Sequence, residues 1–378
     1  MALAVLSVAY PFAPVGPDAV GGAEQVLSAL DEALVRHGHR SLVIACEGSK
    51  PAGELVPLPV PAGPIDEAVR HQVWAELGRL IAAVAAREHV DLVHLHGIDF
   101  HAYLPERVPT LATLHLPLDW YPDWIFQRRP NLWLHCVSQA QHRTAPAGAA
   151  LLPPIENGVP RKLFETRQRK RGHALVLSRI CPEKGIHLAL EASRVADVPL
   201  LIGGKVFPYE AHERYFRDEV TPLLDTRRRF LGPLGFNRKR RLLASARCVV
   251  IPSLVAETSS LTAMEALACG TPVVAFANGA LPEVVENGRT GFIVKDVSEM
   301  AKAIAAASTL DPAVCRAAAR ERFSPERMER RYLDLYAKLA DAAPTRRGSK
   351  GASVPGASDV SGLGLKPGQE PPIRPSSR

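Results

Sequence analysis

The chain has 378 residues and a net charge of +7, and hydrophobic and charged residues make up 47% and 22% of it. This composition is ordinary for a globular protein, and the length suits about two domains of roughly 100 to 200 residues each. The small positive excess suits an anionic ligand, but it does not indicate a nucleic-acid-binding protein, which would need basic residues clustered on one face.

Residues 1–160 alternate short apolar runs with longer helical patterns, which predicts strand–helix–strand units and a parallel sheet. The apolar start of the chain lacks a basic segment, so we interpret it as a buried strand rather than a signal peptide. Together these elements describe one doubly wound, Rossmann-like domain. Strands are expected at 3–8, 41–45, 92–95, 110–114 and 132–137, and helices near 23–36 and 68–88.

Prolines, an Asn157-Gly158 turn signal and a run of basic residues change the composition between residues 153 and 172. We interpret this stretch as the linker between two domains. Its charges are expected to be solvated, with an acceptor-binding surface as the alternative. The basic residues are Arg161, Lys162, Arg167, Arg169, Lys170 and Arg171.

The alternating pattern restarts within residues 161–323 and predicts a second Rossmann-like domain. Its strands are expected at 174–177, 200–202, 248–251 and 273–276, and its helices at 186–195 and 261–268.

Ser324 and Pro325 are typical of a helix N-terminus and begin a last helix at 324–342. Apolar residues recur along it at helical spacing, so one face must be buried. Residues 343–378 are rich in Pro, Gly and Ser without periodicity, which predicts a disordered tail. The apolar residues of the helix are Met328, Tyr332, Leu335 and Leu339.

The six cysteines show no Cys-x-x-Cys spacing, and most lie in apolar runs. We therefore expect buried thiols in a cytoplasmic protein. No apolar stretch approaches the ~20 residues of a membrane-spanning helix.

Two cations, Arg179 and Lys184, follow the strand predicted at 174–177 and bracket the start of a helix. Ligands of open parallel sheets bind beyond the carboxyl ends of the strands, and the N–H groups of a helix start favour an anion. Two added cations would suit a diphosphate. The alternative is a surface pairing of these cations with Glu183, which would add little stability.

Two carboxylates follow the strand predicted at 248–251: Glu257 in the loop and Glu265 within an apolar helix. A buried carboxylate without a partner is costly, so Glu265 is expected to have a polar partner such as the hydroxyls of a ribose. Free N–H groups at Ser260 and Leu261 offer a second place for phosphate oxygens. The alternative is an amphipathic helix with Glu265 at its solvent edge.

The spacing of these residues resembles the retaining glycosyltransferases of family 4, which have the GT-B fold. Glu257 and Glu265 are separated by seven residues and followed by the Ala-Cys-Gly-Thr-Pro-Val sequence of 268–273. The resemblance implies an α/β protein with two Rossmann-like, doubly wound domains that face a central cleft. It covers roughly residues 3–340 and includes the segments 21–24, 157–159, 179–185 and 281–291.

The resemblance also implies roles for the residues of the second domain. Arg179 and Lys184 would hold the donor diphosphate, and Glu265 would bind the ribose. Glu257 would contact hydroxyl groups of the transferred sugar as a catalytic residue. Ser260 and Leu261 belong to the same donor-binding set.

Three residues of the first domain complete the implied site. Gly21 and Gly22 would form a loop that closes over the phosphates, where only bare backbone can come so near. His115, at the end of the strand predicted at 110–114, resembles the family's histidine near the reacting centre. The last helix would cross back onto this domain.

The sequence departs from the family between the two glutamates, where glycines around an aromatic residue are common and this chain has Thr258, Ser259 and Ser260. The hydroxyls would either add phosphate contacts or narrow the sugar pocket, so the sequence does not identify the donor. Pro160 also replaces the family's usual Asp.

Sugar transfer from a nucleotide requires stabilisation of the leaving diphosphate and of an oxocarbenium-like carbon. The two cations could neutralise the diphosphate without a metal, and the chain has no Asp-x-Asp sequence, so no cofactor or metal is expected. A metal site of His94, His96 and His101 is the alternative. By the resemblance, the acceptor attacks on the leaving-group face, with retention.

The chain has neither the G-x-G-x-x-G sequence of dinucleotide-dependent oxidoreductases nor a P-loop. A nucleotide-sugar epimerase of the same fold and a non-catalytic nucleotide-sugar-binding protein remain as alternatives. The expected partners are a nucleotide-sugar donor and a sugar, glycolipid or other hydroxyl acceptor. A lipid-linked acceptor would imply peripheral contact of the protein with the inner face of the membrane.

Overall fold

The computed structural model describes residues 2–16, 19, 21–160, 164, 166 and 168–342, and this part of the chain contains two parallel sheets. The strands of the first sheet are β1 (Ala4–Val8), β2 (Arg40–Cys46), β3 (Glu54–Leu58), β4 (Leu92–Leu95), β5 (Thr110–Leu114), β6 (Leu132–Cys136) and β7 (Leu151–Leu152). Those of the second are β8 (Ala174–Leu177), β9 (Leu200–Gly203), β10 (Arg228–Phe230), β11 (Cys248–Ile251), β12 (Val273–Phe276) and β13 (Gly291–Val294).

Helices connect the strands and cover both faces of each sheet. None of those described is both long enough and apolar enough to span a bilayer. They are α1 (Gly22–Arg36), α2 (Glu67–Arg87), α3 (Gln139–Arg143), α4 (Ile186–Val195), α5 (Glu210–Tyr215), α6 (Phe236–Ser245), α7 (Leu261–Ala268), α8 (Leu281–Val284), α9 (Val297–Ala306), α10 (Pro312–Arg322) and α11 (Pro325–Ala342).

Both sheets are doubly wound. The first has the order β3-β2-β1-β4-β5-β6-β7 and the second the order β10-β9-β8-β11-β12-β13, with every named pair parallel. All residues of β1 and β11 are buried, as expected for central strands covered on both faces. The strand order reverses beside β1 and beside β8, and a ligand crevice is expected at each reversal.

The last described helix, α11, packs on the first sheet rather than on the second, which precedes it in the chain. Tyr332 and Tyr336 are fully buried against residues of α1 and of the first sheet, including Leu30 and Leu111. Gly158 permits the crossing, because a Cβ there would lie 2.6 Å from the Cα of Pro325.

The structure confirms all the predicted strands and helices of the two sheets to within one residue at each end. Four strands were not predicted from the sequence: β3, β10, β13 and the very short β7. In α11 the predicted Leu335 is only partly buried, whereas Tyr336, which was not predicted, is fully buried.

The basic run is not uniformly solvated, which corrects the interpretation of it as a solvated linker. Lys170 is partly buried, its Nζ donates a 2.6 Å hydrogen bond to Thr271 Oγ1, and burial lowers its pKa to about 8. Arg161, Lys162, Arg167 and the tail predicted at 343–378 lie outside the described residues. Five of the six cysteines are buried, and all six are free thiols.

Candidate active site

A cleft of about 1820 Å³ lies between the carboxyl ends of the two sheets. It exceeds the ~300–1,000 Å³ of an ordinary small-molecule pocket, so it has room for two substrates. The structure brings every predicted site residue to its walls. Those residues are Gly21, Gly22, His115, Arg179, Lys184, Glu257, Ser260, Leu261 and Glu265.

Lys184 and Glu257 form an ion pair in this cleft. Lys184 ends a 3₁₀ turn after β8, and its Nζ lies 2.5 Å from Glu257 Oε1. Gly185 follows with a φ of 58°, and a Cβ there would collide with the Pro252 carbonyl oxygen, so the turn needs glycine. Burial acts to raise the pKa of Glu257, but the charge and hydrogen bond of Lys184 outweigh it and lower the pKa. A bound anion would therefore share Lys184 with Glu257.

Glu265 pairs with Lys239, which was not among the predicted site residues. Glu265 is 3% exposed, and its Oε1 accepts a 2.6 Å hydrogen bond from Lys239 Nζ of α6. Burial raises the pKa of Glu265, although the neighbouring Lys239 partly offsets this. The expected polar partner thus exists within the protein, and the second carboxylate oxygen receives no hydrogen bond from the described residues. Because Glu265 is buried, α7 is not an amphipathic helix with Glu265 at its solvent edge, and that alternative is excluded.

Gly21 and Gly22, at the start of α1 rather than in a separate loop, meet the start of α7 across the cleft. A Cβ at Gly22 would lie 3.6 Å from Leu261 Cδ1, and a Cβ at Gly21 would collide with the carboxylate of Glu24. Glu24 also lines the cleft and was missed from the sequence. Burial raises the pKa of Glu24, while the positive charge of Arg179 acts to lower it, so these two side chains interact electrostatically across the cleft.

The three residues that depart from the family pattern contact the rest of the protein. Thr258 Oγ1 donates a 2.8 Å hydrogen bond to the His115 carbonyl oxygen, and Ser259 Oγ accepts a 3.0 Å hydrogen bond from Asn157 Nδ2. Ser260 caps α7 with a φ of 64°, a left-handed conformation that favours glycine. Two of the three hydroxyls therefore join the two halves of the molecule.

The start of α7 offers amide groups to the cleft. Ala263 is the first residue of this helix whose N–H has a backbone acceptor, the Ser260 carbonyl. The N–H groups of Leu261 and Thr262 have no such acceptor in the described chain, and both residues line the cleft. Such amides together with the helix dipole favour a negatively charged group.

His115 lies at the end of β5 and contacts other histidines rather than a carboxylate. Its Nε2 is 3.0 Å from Nδ1 of His96, and the Nε2 of His96 is 3.2 Å from Nδ1 of His94. Burial, with a smaller contribution from His135, lowers the pKa of His115 to about 3. His101 instead contacts the rings of Phe100 and Trp124, so it does not complete the metal site considered with His94 and His96.

A different cluster has metal-ligand geometry. The ligand atoms of Cys181, Glu183 and His212 lie within 4.8 Å of one another, the one such group in the described residues. Burial raises the pKa of the Cys181 thiol to about 11, which disfavours the thiolate that a metal needs. The positive charge of Arg179 also acts on both Cys181 and His212. Transfer without a metal stays a prediction.

Family comparisons cover most of the chain. Residues 20–151 match the model described as Glycosyltransferase Family 4, and residues 171–309 match the model described as Glycosyl transferases group 1.

Curated relatives match over part of the chain. A D-inositol 3-phosphate glycosyltransferase from Mycobacterium sp. (strain KMS) is 35% identical over 153 residues, which is 38% of this chain and 34% of the relative. An MMP alpha-(1->4)-mannosyltransferase from Mycolicibacterium hassiacum is 38% identical over 135 residues, which is 34% of this chain and 32% of the relative. The matched segments span about a third of the length of these relatives.

Solved structures share the fold along nearly the whole chain. Sucrose-phosphate synthase from Thermosynechococcus elongatus has a TM-score of 0.75 at 21% identity, covering 90% of this chain and 100% of that one. Anabaena HepE, solved in complex with UDP-glucose, has a TM-score of 0.66 at 19% identity, covering 89% and 100%. The expected GT-B fold, with two Rossmann-like units, is thereby confirmed.

Proposed function

This chain belongs to the glycosyltransferases of group 1 and family 4, and we propose that it moves a sugar from a nucleotide diphosphate sugar to an acceptor hydroxyl with retention of anomeric configuration. The chemistry of the cleft supports a donor of this class. The convergence of Arg179, Lys184, Glu257 and Glu265 on that single cleft is the observation that carries the proposal.

The proposed donor places its diphosphate between the two cations and the free amides at the start of α7. Transfer leaves negative charge on the departing nucleotide, and fixed positive groups that stabilise this charge lower the barrier. Arg179 and Lys184 provide such groups from the protein itself, so we propose that the reaction needs no divalent metal. Gly21 and Gly22 bring the backbone of the first half close to the same phosphates.

The proposed ribose site is the second carboxylate oxygen of Glu265. Lys239 holds the first oxygen and keeps the carboxyl group in one orientation. Glu257, next to Lys184, would accept hydrogen bonds from hydroxyl groups of the transferred sugar. Both glutamates are held in ion pairs, which supports binding roles over a role as covalent nucleophile. We therefore propose attack by the acceptor on the leaving-group face, which retains configuration.

The relatives suggest which substrates to try first. HepE was solved with UDP-glucose, and curated relatives are named as an inositol phosphate glycosyltransferase and a mannosyltransferase. The test incubates the full chain with UDP-glucose or GDP-mannose, each with an inositol phosphate or a simple glycoside as acceptor. Products are followed by nuclear magnetic resonance, which reports the anomeric configuration.

We expect a thermal shift with at least one donor and an α-linked product from an α-linked donor. An inverted product would contradict retention while leaving transfer intact. A donor that is converted without an acceptor into a different nucleotide sugar would favour the epimerase of the same fold. No shift and no turnover with any nucleotide sugar would overturn the proposal.

A further inference from the structure

Glu24, in the first turn of α1, is a buried carboxyl group in the wall of the cleft. It is 5% exposed and lies beside the glycines at the start of the helix. Its Oε2 fills the space that a side chain at Gly21 would take, because a Cβ there would overlap with it. Gly21 is the residue proposed to approach the donor phosphates. An acidic group therefore already lies where the diphosphate is expected.

Arg179 faces this carboxyl group from the second half of the molecule. Its positive charge acts to lower the pKa of Glu24, and no other cation of the described chain has this effect. The two side chains form no ion pair with each other, and the guanidinium of Arg179 has no hydrogen-bond partner among the described residues. Both residues line the cleft. The space between an unpaired acid and an unpaired cation can therefore hold a ligand.

The other titratable groups that face Glu24 come from the first sheet. Tyr10 follows β1 and Cys46 ends β2, and the charge of Glu24 acts to raise the pKa of both, so neither supplies a positive charge. The start of α7 adds only the apolar Leu261 and backbone amides. Burial outweighs the effects of Arg179 and of the backbone amide of Glu24, so the pKa of Glu24 is raised.

A diphosphate bound in this space would change the charges around Glu24 in one direction. It would neutralise Arg179, which favours the ionised carboxylate, and it would add negative charge next to Gly21. Like charges in one site favour the protonated form of a carboxyl group, so both effects raise the pKa of Glu24 further. The side chain is buried, so it cannot lower its energy by turning into solvent.

We infer that Glu24 takes up one proton when the donor diphosphate binds, and that its neutral carboxyl group then donates a hydrogen bond to a phosphate oxygen. The proton comes from the solvent, and no covalent bond of the donor changes in this step. Glu24 is thus a donor-binding residue that acts as a neutral acid, unlike Glu265, which is proposed to accept hydrogen bonds from the ribose. The inference rests on the proposed function, because the ligand is the nucleotide sugar.

Proton uptake can be measured directly. UDP-glucose and GDP-mannose are suitable probes, because their doubly esterified diphosphates do not titrate near neutral pH. Calorimetric titration of the full chain in two buffers with different heats of ionisation counts the protons taken up. We expect about 0.3–1 proton at neutral pH. Binding that takes up a proton weakens as the pH rises, so affinity should fall by up to about tenfold per pH unit.

Glu24→Gln has nearly the shape of the protonated acid and cannot ionise. This variant should take up fewer protons than the wild type, and its affinity at pH 8 should equal or exceed that of the wild type. Glu32→Gln is the matched control, because it makes the same change at an exposed position of α1 outside the cleft. It should keep the wild-type proton uptake. Protons taken up by His212, which also senses the charge of Arg179, would remain in all three proteins.

Three results of these titrations would overturn the inference. The first is binding to the wild type without proton uptake, which needs no variant. The second is equal proton uptake in the wild type and in folded Glu24→Gln. The third is weaker binding to Glu24→Gln at pH 8, since this would show that Glu24 acts as an ionised acceptor.

Infrared spectroscopy of the ligand-free full chain separates this inference from the proposed function. The carbonyl band that is lost in Glu24→Gln reports protonated Glu24, and we expect it to persist above pH 4.5, the usual pKa of a glutamate. A midpoint at or below that value would overturn the inference even if a nucleotide sugar binds. If neither nucleotide sugar binds, the proposed function and the phosphate contact are both rejected, and the midpoint still shows whether the neutral acid exists.

Discussion

The Thr258 hydroxyl donates a 2.8 Å hydrogen bond to the carbonyl oxygen of His115, and so a residue of the donor half holds a residue of the opposite wall. The bond connects two segments that both line the cleft. The distance between the two domains therefore depends on the position of the His115 backbone.

Thr258→Val should weaken this connection without creating a cavity. We expect a loss of about 0.5–1.5 kcal/mol of stability, the usual net contribution of one hydrogen bond, and a higher KM for the donor. Chemical denaturation and steady-state kinetics measure the two effects. Thr258→Ser keeps the hydroxyl and should behave as wild type, whereas equal KM values in all three proteins would contradict the role of the bond.

Lys184→Ala should reduce donor affinity about 10- to 100-fold, because a cation next to the diphosphate is lost. Calorimetric titration with the donor measures this effect. Lys302→Ala, which removes an exposed lysine, is the control. Lys184→Ala also leaves Glu257 without its partner, so some stability should be lost. The double variant Lys184→Ala, Glu257→Gln should recover stability but not affinity for the donor. Recovery of both would mean that the diphosphate does not bind at Lys184.

Glu265→Ala should cost stability as well as donor binding, because Lys239 then lacks its buried partner. Breaking a buried ion pair costs up to ~3–5 kcal/mol, and the partial exposure of Lys239 should reduce this to about 1–2 kcal/mol. Combining Glu265→Ala with Lys239→Met should regain most of the lost stability without restoring donor binding. Unfolding curves together with donor titrations test both statements.

Ser260→Gly should stabilise the protein by on the order of 1 kcal/mol, since Ser260 adopts a φ of 64° that glycine reaches without strain. Donor binding through the neighbouring amides should persist. Ser260→Ala separates backbone from side chain, because it removes the hydroxyl and keeps the strain. A thermal midpoint that rises equally in both variants would assign the effect to the hydroxyl.

Stability should fall steeply as the pH drops below about 6.5. His94, His96, His115 and His135 have lowered pKa values in the native state, against 6.5 in an exposed chain. Below that pH the unfolded chain binds protons that the native state excludes, so unfolding is favoured by up to about 1.4 kcal/mol per pH unit for each ring. Urea unfolding between pH 7 and pH 5 measures the slope.

A histidine variant provides the comparison for this slope. His135→Asn should lower it by about one proton, even if its absolute stability differs. Substitution of the exposed His71 by Asn should leave the slope unchanged. A flat profile in the wild type would show that these imidazoles are not held neutral.

Sequence patterns predicted most of the two sheets, because buried parallel strands such as β11 and β12 are continuous apolar runs. The edge strands β3 and β10 were missed, since they are short and carry polar residues such as Glu54 and Arg229. The predicted site residues meet in one cleft because they follow the carboxyl end of a strand or begin a helix, and Glu265 lies one turn into α7. That geometric rule needs no knowledge of tertiary contacts.

The partners of those residues could not be predicted in the same way. Lys239 is one of four consecutive basic residues, and only the packing of α6 beside α7 shows which of them reaches Glu265. The bond between Thr258 and His115 depends on how the two halves meet. Tyr336 was overlooked because its contact with His94 joins residues 242 positions apart.

The crossing of α11 has a consequence for synthesis of the protein. Tyr332 and Tyr336 complete the core beneath the first sheet, yet the ribosome makes them only after the entire second sheet. Until then, the nascent first half presents an uncovered apolar face to the cell. Its final folding step is therefore delayed until translation of the helix ends, and a premature stop before Pro325 would release a chain prone to aggregation or to capture by chaperones.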